Sequence, residues 1–256
     1  MTNTLSFFSR LSPAAHWIKA HWKRLLILFA AIFLLAFGGH KLYLYYPYMN
    51  LPHVTDADLD ALDLKGYNKV MFVAHPDDDL LWGGQHLIED DYLVVCMTRG
   101  NDPVRSAEFK SVMEATGEKY LILSYPDKIG NKRSDWKYWK KDMALDIATV
   151  LNYKNWDLVV SHNEDGEYGH HHHQMTHELV KKEYEEISCK ADLYWFGKYY
   201  VNDKVPYDLK EMPKELYNQK RELAKLYASQ RTTMRKLYHM LPYEHWQKAT
   251  EQDTAS

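Results

Sequence analysis

Short unbroken apolar runs alternate along this chain with segments whose apolar residues fall at helical spacing, and the alternation begins at residue 69. The runs 69–74, 92–97, 120–125, 156–161 and 193–196 are rich in β-forming residues and read as strands. Between them, 80–89, 105–116, 143–151 and 174–186 read as helices. The stretch 213–229 reads as a closing helix, with Leu216, Leu223 and Tyr227 on one face. Gly83-Gly84 weakens the middle of the first helix, and Gly117 stops the second. Strand, helix and strand in this order predict parallel βαβ units, and hence an α/β domain.

The first fifty residues follow a different pattern. They contain no Asp or Glu, and Arg10, Lys19, Lys23 and Arg24 precede an apolar run at 25–39 that carries no charged group. That run is a little short of the ~20 residues that span a bilayer. Residues 40–46 extend it with a Lys that can snorkel and tyrosines suited to an interface. The pattern predicts a basic segment at 1–24, a transmembrane anchor at 25–46, a polar linker at 47–65 leading into a short helix, and one folded domain at 66–250. Basic residues before the span put the N-terminus in the cytoplasm and the domain outside the cell. Two readings compete with the anchor. One is a signal peptide cleaved after Gly38; the other is a buried core helix, disfavoured by the basic flank and the charge-free run. The tail from Glu251 reads as disordered.

Composition adds little until the histidines. A length of 256 residues suits one sizeable domain and an appendage, and a net charge of −3 leaves no nucleic-acid footprint. Cys96 and Cys189 have no partner at metal or redox spacing, and Cys96 lies in an apolar run as a buried free thiol. Fourteen histidines are many for this length, and four of them are consecutive, from His170 to His173.

Two stretches carry the chemistry, each at the end of a predicted strand. His75-Pro76-Asp77-Asp78-Asp79 follows the first strand, and in open α/β sheets that edge is where ligands bind. His75 and Asp78, three apart, can reach one cation from a tight turn, leaving Asp77 to handle protons. The plainer reading is an acidic turn with Asp78 or Asp79 as the N-cap of the next helix. The second stretch, 162–173, ends in the histidine run, where His170 and His173 have the i,i+3 spacing of one helix face. Catalytic zinc takes three protein ligands and keeps one position open for water. His75, Asp78 and His173 supply such a set, Asp77 a base, and His170 a group for protonating a leaving group or stabilising an oxyanion. His171 and His172 read as solvent-exposed, and His162 and His177 as supporting partners rather than ligands. Arg105 and Glu108 read as a surface i,i+3 ion pair, with the alternative that they point back into the site from the first turn of their helix.

Residues 74–79, together with Asp165-Gly166-Glu167-Tyr168-Gly169-His170 and His173, resemble the PIG-L/LmbE family of zinc-dependent N-acetylglucosaminyl deacetylases. The resemblance runs from about Lys69 to about Gln230 and includes Thr98-Arg99-Gly100, Arg105 with Glu108, and 227–230. It implies a Rossmann-like, mostly parallel sheet flanked by helices, with Zn2+ held by His75, Asp78 and His173. It further implies Asp77 as base, His170 as electrostatic or acid catalyst, Tyr168 near the oxyanion, and Arg105 and Asp127 on the substrate side. The motif ends in Asp79 where the family commonly has Glu.

The function expected from this reading is removal of the N-acetyl group from N-acetylglucosamine, or another N-acetylhexosamine, in a cell-surface glycan or lipid-linked sugar. Its partners would be that glycan and, through the N-terminal helix, the membrane. The alternatives are an amide hydrolase of the same fold acting on a non-sugar conjugate, and a non-catalytic glycan-binding protein.

Overall fold

A computed structural model describes residues 13–250, and the chain divides into two units, one ending at Met49 and the other starting at Asn50. The side chains of Arg10 and Lys19 and the tail from Glu251 lie outside the described residues. The first unit is helix α1 (Pro13–Tyr45) with a 3-10 turn at Tyr46–Tyr48. Its segment Ala20–Tyr48, of mean hydropathy 2.1, is long and apolar enough to cross a membrane, a test that a signal sequence also passes.

In the second unit, α2 (Asp56–Asp60) starts with Thr55 and Asp58 in a reciprocal capping box. Much of the stretch expected as a linker is packed. Val54, Leu59 and Leu64 are buried, and the Val54 N–H donates to Asp146. The chain then alternates through β1 (Lys69–Val73), α3 (Asp78–Glu89), β2 (Tyr92–Thr98), α4 (Pro103–Thr116) and β3 (Lys119–Tyr125). A two-stranded hairpin of β4 (Lys128–Ile129) and β5 (Lys132–Arg133) precedes α5 (Lys140–Tyr153) and β6 (Leu158–Ser161). A single irregular turn, α6 (Gly166–Gly169), leads into α7 (His171–Glu186) and β7 (Asp192–Trp195). After α8 (Lys214–Leu223) and α9 (Arg231–Leu237), β8 (Gln247–Lys248) closes the sheet edge.

The six strands run in the order β3-β2-β1-β6-β7-β8, with every pair parallel except β7 with β8. The mostly parallel sheet flanked by helices is therefore as expected. Val70, Met71, Phe72 and Val73 are all fully buried, because a parallel strand covered by helices on both faces has no solvent side, so its sequence does not alternate. Gly83 and Gly84 allow α3 to lie close to its neighbours. A Cβ at Gly83 would meet Met71 Cε at 2.5 Å, and one at Gly84 would meet Leu80 Cδ1 at 2.9 Å and Lys220 Cε at 3.0 Å. The closing helix expected over 213–229 is broken: α8 ends at Leu223, and 3-10 turns carry Tyr227 inward at φ −82°, ψ 54°, where its hydroxyl reaches Asp79. A continuous α-helix would not allow that backbone conformation.

Strand order reverses direction at β1, which pairs with β2 on one side and β6 on the other. Crevices open at the carboxyl ends of strands at such a switch point. The residues that follow β1 and β6 there are the two polar stretches.

Candidate active site

The turn after β1 is built on Asp77, whose φ of 118° is a strained conformation for a residue with a Cβ. The Asp77 N–H donates to Asp79 Oδ1 at 3.0 Å and the His75 N–H to Asp78 Oδ2 at 2.9 Å, so neighbouring carboxylates hold the turn. Asp77 is the residue before α3 but makes no side-chain cap; its carboxylate is left for Arg105 Nη2, at 3.0 Å. The cap that the plainer, acidic-turn reading assigned to Asp78 or Asp79 is thus absent. Both lie inside the helix and serve other partners. Asp79 is fully buried, accepting from the Tyr227 hydroxyl, and burial pushes its carboxyl up to about 7.

Asp78 joins the two expected imidazole ligands. Its Oδ2 lies 3.1 Å from His75 Nδ1 and its Oδ1 3.2 Å from His173 Nε2. Bonds of ~2.1 Å to a tetrahedral ion set donors about 3.4 Å apart, close to both separations. His173 Nε2 is buried without a hydrogen-bond partner, as is His170 Nδ1, which suits donors that await a cation or a substrate. Among the described residues, histidine and aspartate donors within 4.8 Å of one another form three overlapping triads, and no one of them holds all three expected ligands: two are His75 with His170 and His173, and Asp78 with His162 and His173. The third is His75, Asp127 and His172.

Hydrogen bonds remove His162 from the candidate ligands. Its Nε2 accepts from the Ala74 N–H at 3.0 Å, so its proton is on Nδ1, which meets Glu167 Oε2 at 3.0 Å. Neither nitrogen is free. Glu167 also takes the Nδ1 proton of His173, which leaves His173 Nε2 to face Asp78. Glu167 was quoted in the motif with no role assigned. Its φ of 57° and complete burial between two imidazoles make it the residue that orients the second polar stretch.

The electrostatics follow from burial and pairing. Burial pushes Asp77 up to about 7, helped by the Asp78 charge and opposed by Arg105 and His75. For Asp78 burial acts in the same direction, but His173 and His75 outweigh it and hold the carboxyl well below its ordinary range. Burial disfavours a charge on His173, yet Asp78 and Glu167 lift it to about 10. His170 is lowered, first by burial and then by the neighbouring His173 and His75, so it is neutral.

His75, Asp77, Asp78 and His170 line a cavity of about 440 Å³, together with Tyr168, Arg105, Asp127, Arg133 and Tyr199. Arg105 is not paired with Glu108. Its guanidinium instead bonds the Pro76 carbonyl and Asp77, where desolvation makes it more valuable, and Glu108 accepts from the Ser229 N–H and hydroxyl. Asp127 is engaged by Arg99 and by Arg133, which lies at 2.6 Å. His171 is exposed as expected, but His172 is not: it is fully buried, its ring stacked on Trp136 with centroids 4.1 Å apart. The helix starts at His171 rather than 174, and this rotates His172 inward. Arg133, also on the cavity, lies in a Lys-rich hairpin with no motif around it to mark it in the sequence.

Fold and site together define an α/β protein with a buried imidazole–carboxylate cluster suited to a divalent metal, beside a cavity at the strand ends. Residues 70–184, a little under half of the chain, match the family described as PIG-L: GlcNAc-PI de-N-acetylase. The chain is 32% identical over 130 residues to the uncharacterized protein L374 of Acanthamoeba polyphaga mimivirus, a match covering 44% of this chain and 56% of that protein. The chain thus spans little more than half the length of this relative. Two solved structures share the fold. The conserved protein TT1542 from Thermus thermophilus has a TM-score of 0.53 at 15% identity, over 72% of this chain and 95% of that one. The 4-carboxy-2-hydroxymuconate hydratase GalB from Pseudomonas putida has a TM-score of 0.50 at 16% identity, over 68% and 82%. At these identities the likeness is one of fold alone.

Proposed function

We propose that this chain is a membrane-anchored, zinc-dependent hydrolase that removes the N-acetyl group from N-acetylglucosamine, or another N-acetylhexosamine, in a cell-surface glycan or lipid-linked sugar. The observation that carries the reading is Asp78, which faces one nitrogen of His75 and one of His173 in a buried cluster, with Asp77 beside it on an open cavity. The family match over 70–184 supports the deacetylase class.

His75, Asp78 and His173 would hold the ion. When bound, it would polarise the acetamide carbonyl and make a water more acidic. Asp77 takes the proton from the attacking water, and its raised pKa suits transfer near neutral pH. Arg105 holds Asp77 through Nη2 and lines the cavity on the side where a sugar hydroxyl would sit. Tyr168 and His170, on the cavity wall, donate hydrogen bonds to the developing oxyanion, and the proton taken up by Asp77 passes to the leaving amine. Asp127, already paired with Arg99 and Arg133, shapes the substrate side of the cavity. The products are acetate and a free amino sugar.

The test is acetate release from N-acetylglucosamine oligomers by the full chain in detergent, with zinc added or removed by chelator. Zinc-dependent release is the expected result. No release from any N-acetylhexosamine, with metal bound, moves the reading to a non-sugar amide or to glycan binding. A reporter fused after Ser256 tests the expected topology and should be active only on the outer side of the membrane.

A further inference from the structure

The two expected imidazole ligands are oriented by different devices. His173 has a carboxylate, Glu167, behind its Nδ1. His75 has another imidazole: its Nε2 lies 3.0 Å from His172 Nδ1. His172 Nε2 in turn lies 2.8 Å from the carbonyl oxygen of Ser134. A carbonyl can only accept, so the His172 proton is on Nε2 and its Nδ1 presents a lone pair. That lone pair accepts from His75 Nε2–H, and the other nitrogen of His75, Nδ1, is the one that faces Asp78.

We propose that His172 is a positioning residue, held by the Ser134 carbonyl and the Trp136 ring, that fixes His75 in its Nε2–H tautomer and so commits His75 Nδ1 to a divalent ion shared with Asp78 and His173. This rests on the metal reading given above. The obvious rival is a second cation held by His75, Asp127 and His172, whose donors are close enough. Arg133 excludes it: its Nη1 donates to Asp127 Oδ1 at 2.6 Å, so a guanidinium already supplies the positive charge there, and its 3.4 Å approach to His75 Nε2 is longer than the 3.0 Å contact with His172 Nδ1, to which the Nε2 hydrogen is directed. Asp127 is the other group near His75 Nε2, at 3.5 Å, but its oxygens are held by Arg133 and Arg99. His172 is therefore the closer and freer acceptor.

The test is zinc affinity of the full chain in detergent, by competition with a chromogenic chelator, beside histidine nitrogen NMR of the wild type. His172→Phe keeps a ring on Trp136 and removes the acceptor. His172→Asn keeps an acceptor oxygen near the Nδ1 position. Loss of an orienting partner should weaken zinc binding about 10–100-fold in His172→Phe, and His172→Asn should recover most of it, with both apo proteins melting near the wild type. Equal affinity in His172→Phe, or no recovery in His172→Asn, overturns the proposal. If His172→Phe does not fold, the wild-type spectrum decides: protons on Nε2 of both His75 and His172 support it, and a proton on Nδ1 of His172 overturns it. A wild type that binds no zinc removes the metal reading, and this inference with it, whereas a zinc-binding wild type with unaffected variants removes this inference alone.

Discussion

Helix α3 carries two buried charged clusters that are finished in opposite ways. At its N-terminal end, Asp77 and Asp78 meet His75, His173 and Arg105, and the cluster leaves His173 Nε2, His170 Nδ1 and Arg105 Nε without hydrogen-bond partners. Further along the helix, Lys220 Nζ bonds Glu244 Oε1 at 2.5 Å and the Leu81 carbonyl at 3.1 Å. Glu244 also accepts from the Gln85 N–H at 2.7 Å and from His86 Nδ1 at 3.0 Å. That second cluster is closed: each oxygen of Glu244 is taken, and it ties the C-terminal segment to the helix that bears the motif. Unpartnered buried polar atoms cost stability, so a fold keeps them where they do something else. The open cluster faces the cavity, and the closed one does not.

Substitutions should separate the two clusters. Asp77→Asn has the largest expected effect, a fall in acetate release of about 10²–10⁴ for loss of a proton acceptor, or about 3–5 kcal/mol in the barrier. Its melting temperature should not fall, since the change also removes a charge beside Asp78. An active variant, or one that unfolds, would break the comparison. Lys220→Met should do the reverse. It strands the Glu244 carboxylate, and denaturant titration should show a loss of about 3–5 kcal/mol, with turnover per folded molecule unchanged. A loss too small to measure would mean that the closed cluster is not a structural tie.

Glu118 sharpens the comparison because it is open at one atom yet lies away from the cavity. Its Oε2 accepts from the Tyr92 N–H while its Oε1 has no partner. Burial, opposed by the Tyr92 hydrogen bond and helped by Asp91 and Asp90, pushes the carboxyl from the ordinary 4.5 up to about 8. The folded state then binds the proton more tightly than the unfolded one. The stability Glu118 contributes is full below about pH 4.5 and is lost as pH rises through about 8. Glu118→Gln should therefore flatten the decline in melting temperature between about pH 5 and about pH 8 without touching activity. An unchanged decline would assign the pH dependence to other groups.

Much of this architecture was legible beforehand. The five strand runs and the polar stretches at two of their ends are local signals, and both stretches meet at the switch point between β1 and β6. The readings that changed were those that depended on a partner far along the chain. Arg105 and Glu108 satisfy the helical spacing of an ion pair, but each finds a different partner, Asp77 and Ser229. His172 looked like one of two spacers between functional histidines, and only the packing of Trp136 and the Ser134 carbonyl against it gives it an inward role. Tyr227 fitted an amphipathic closing helix, yet its hydroxyl reaches Asp79 only because that helix is broken.

The sequence by itself determined the strand and helix types, the apolar N-terminal segment and the residue types gathered at each strand end, because backbone preference and side-chain period act over a few neighbours. Tertiary structure decided which nitrogen of each histidine is free, which carboxylates are paired, and which cluster is closed. Those outcomes depend on burial and on hydrogen-bond partners about 90 to 160 residues away, as with Ala74 and His162 or Gln85 and Glu244, and desolvation makes such distant pairings outweigh any preference written locally in the chain.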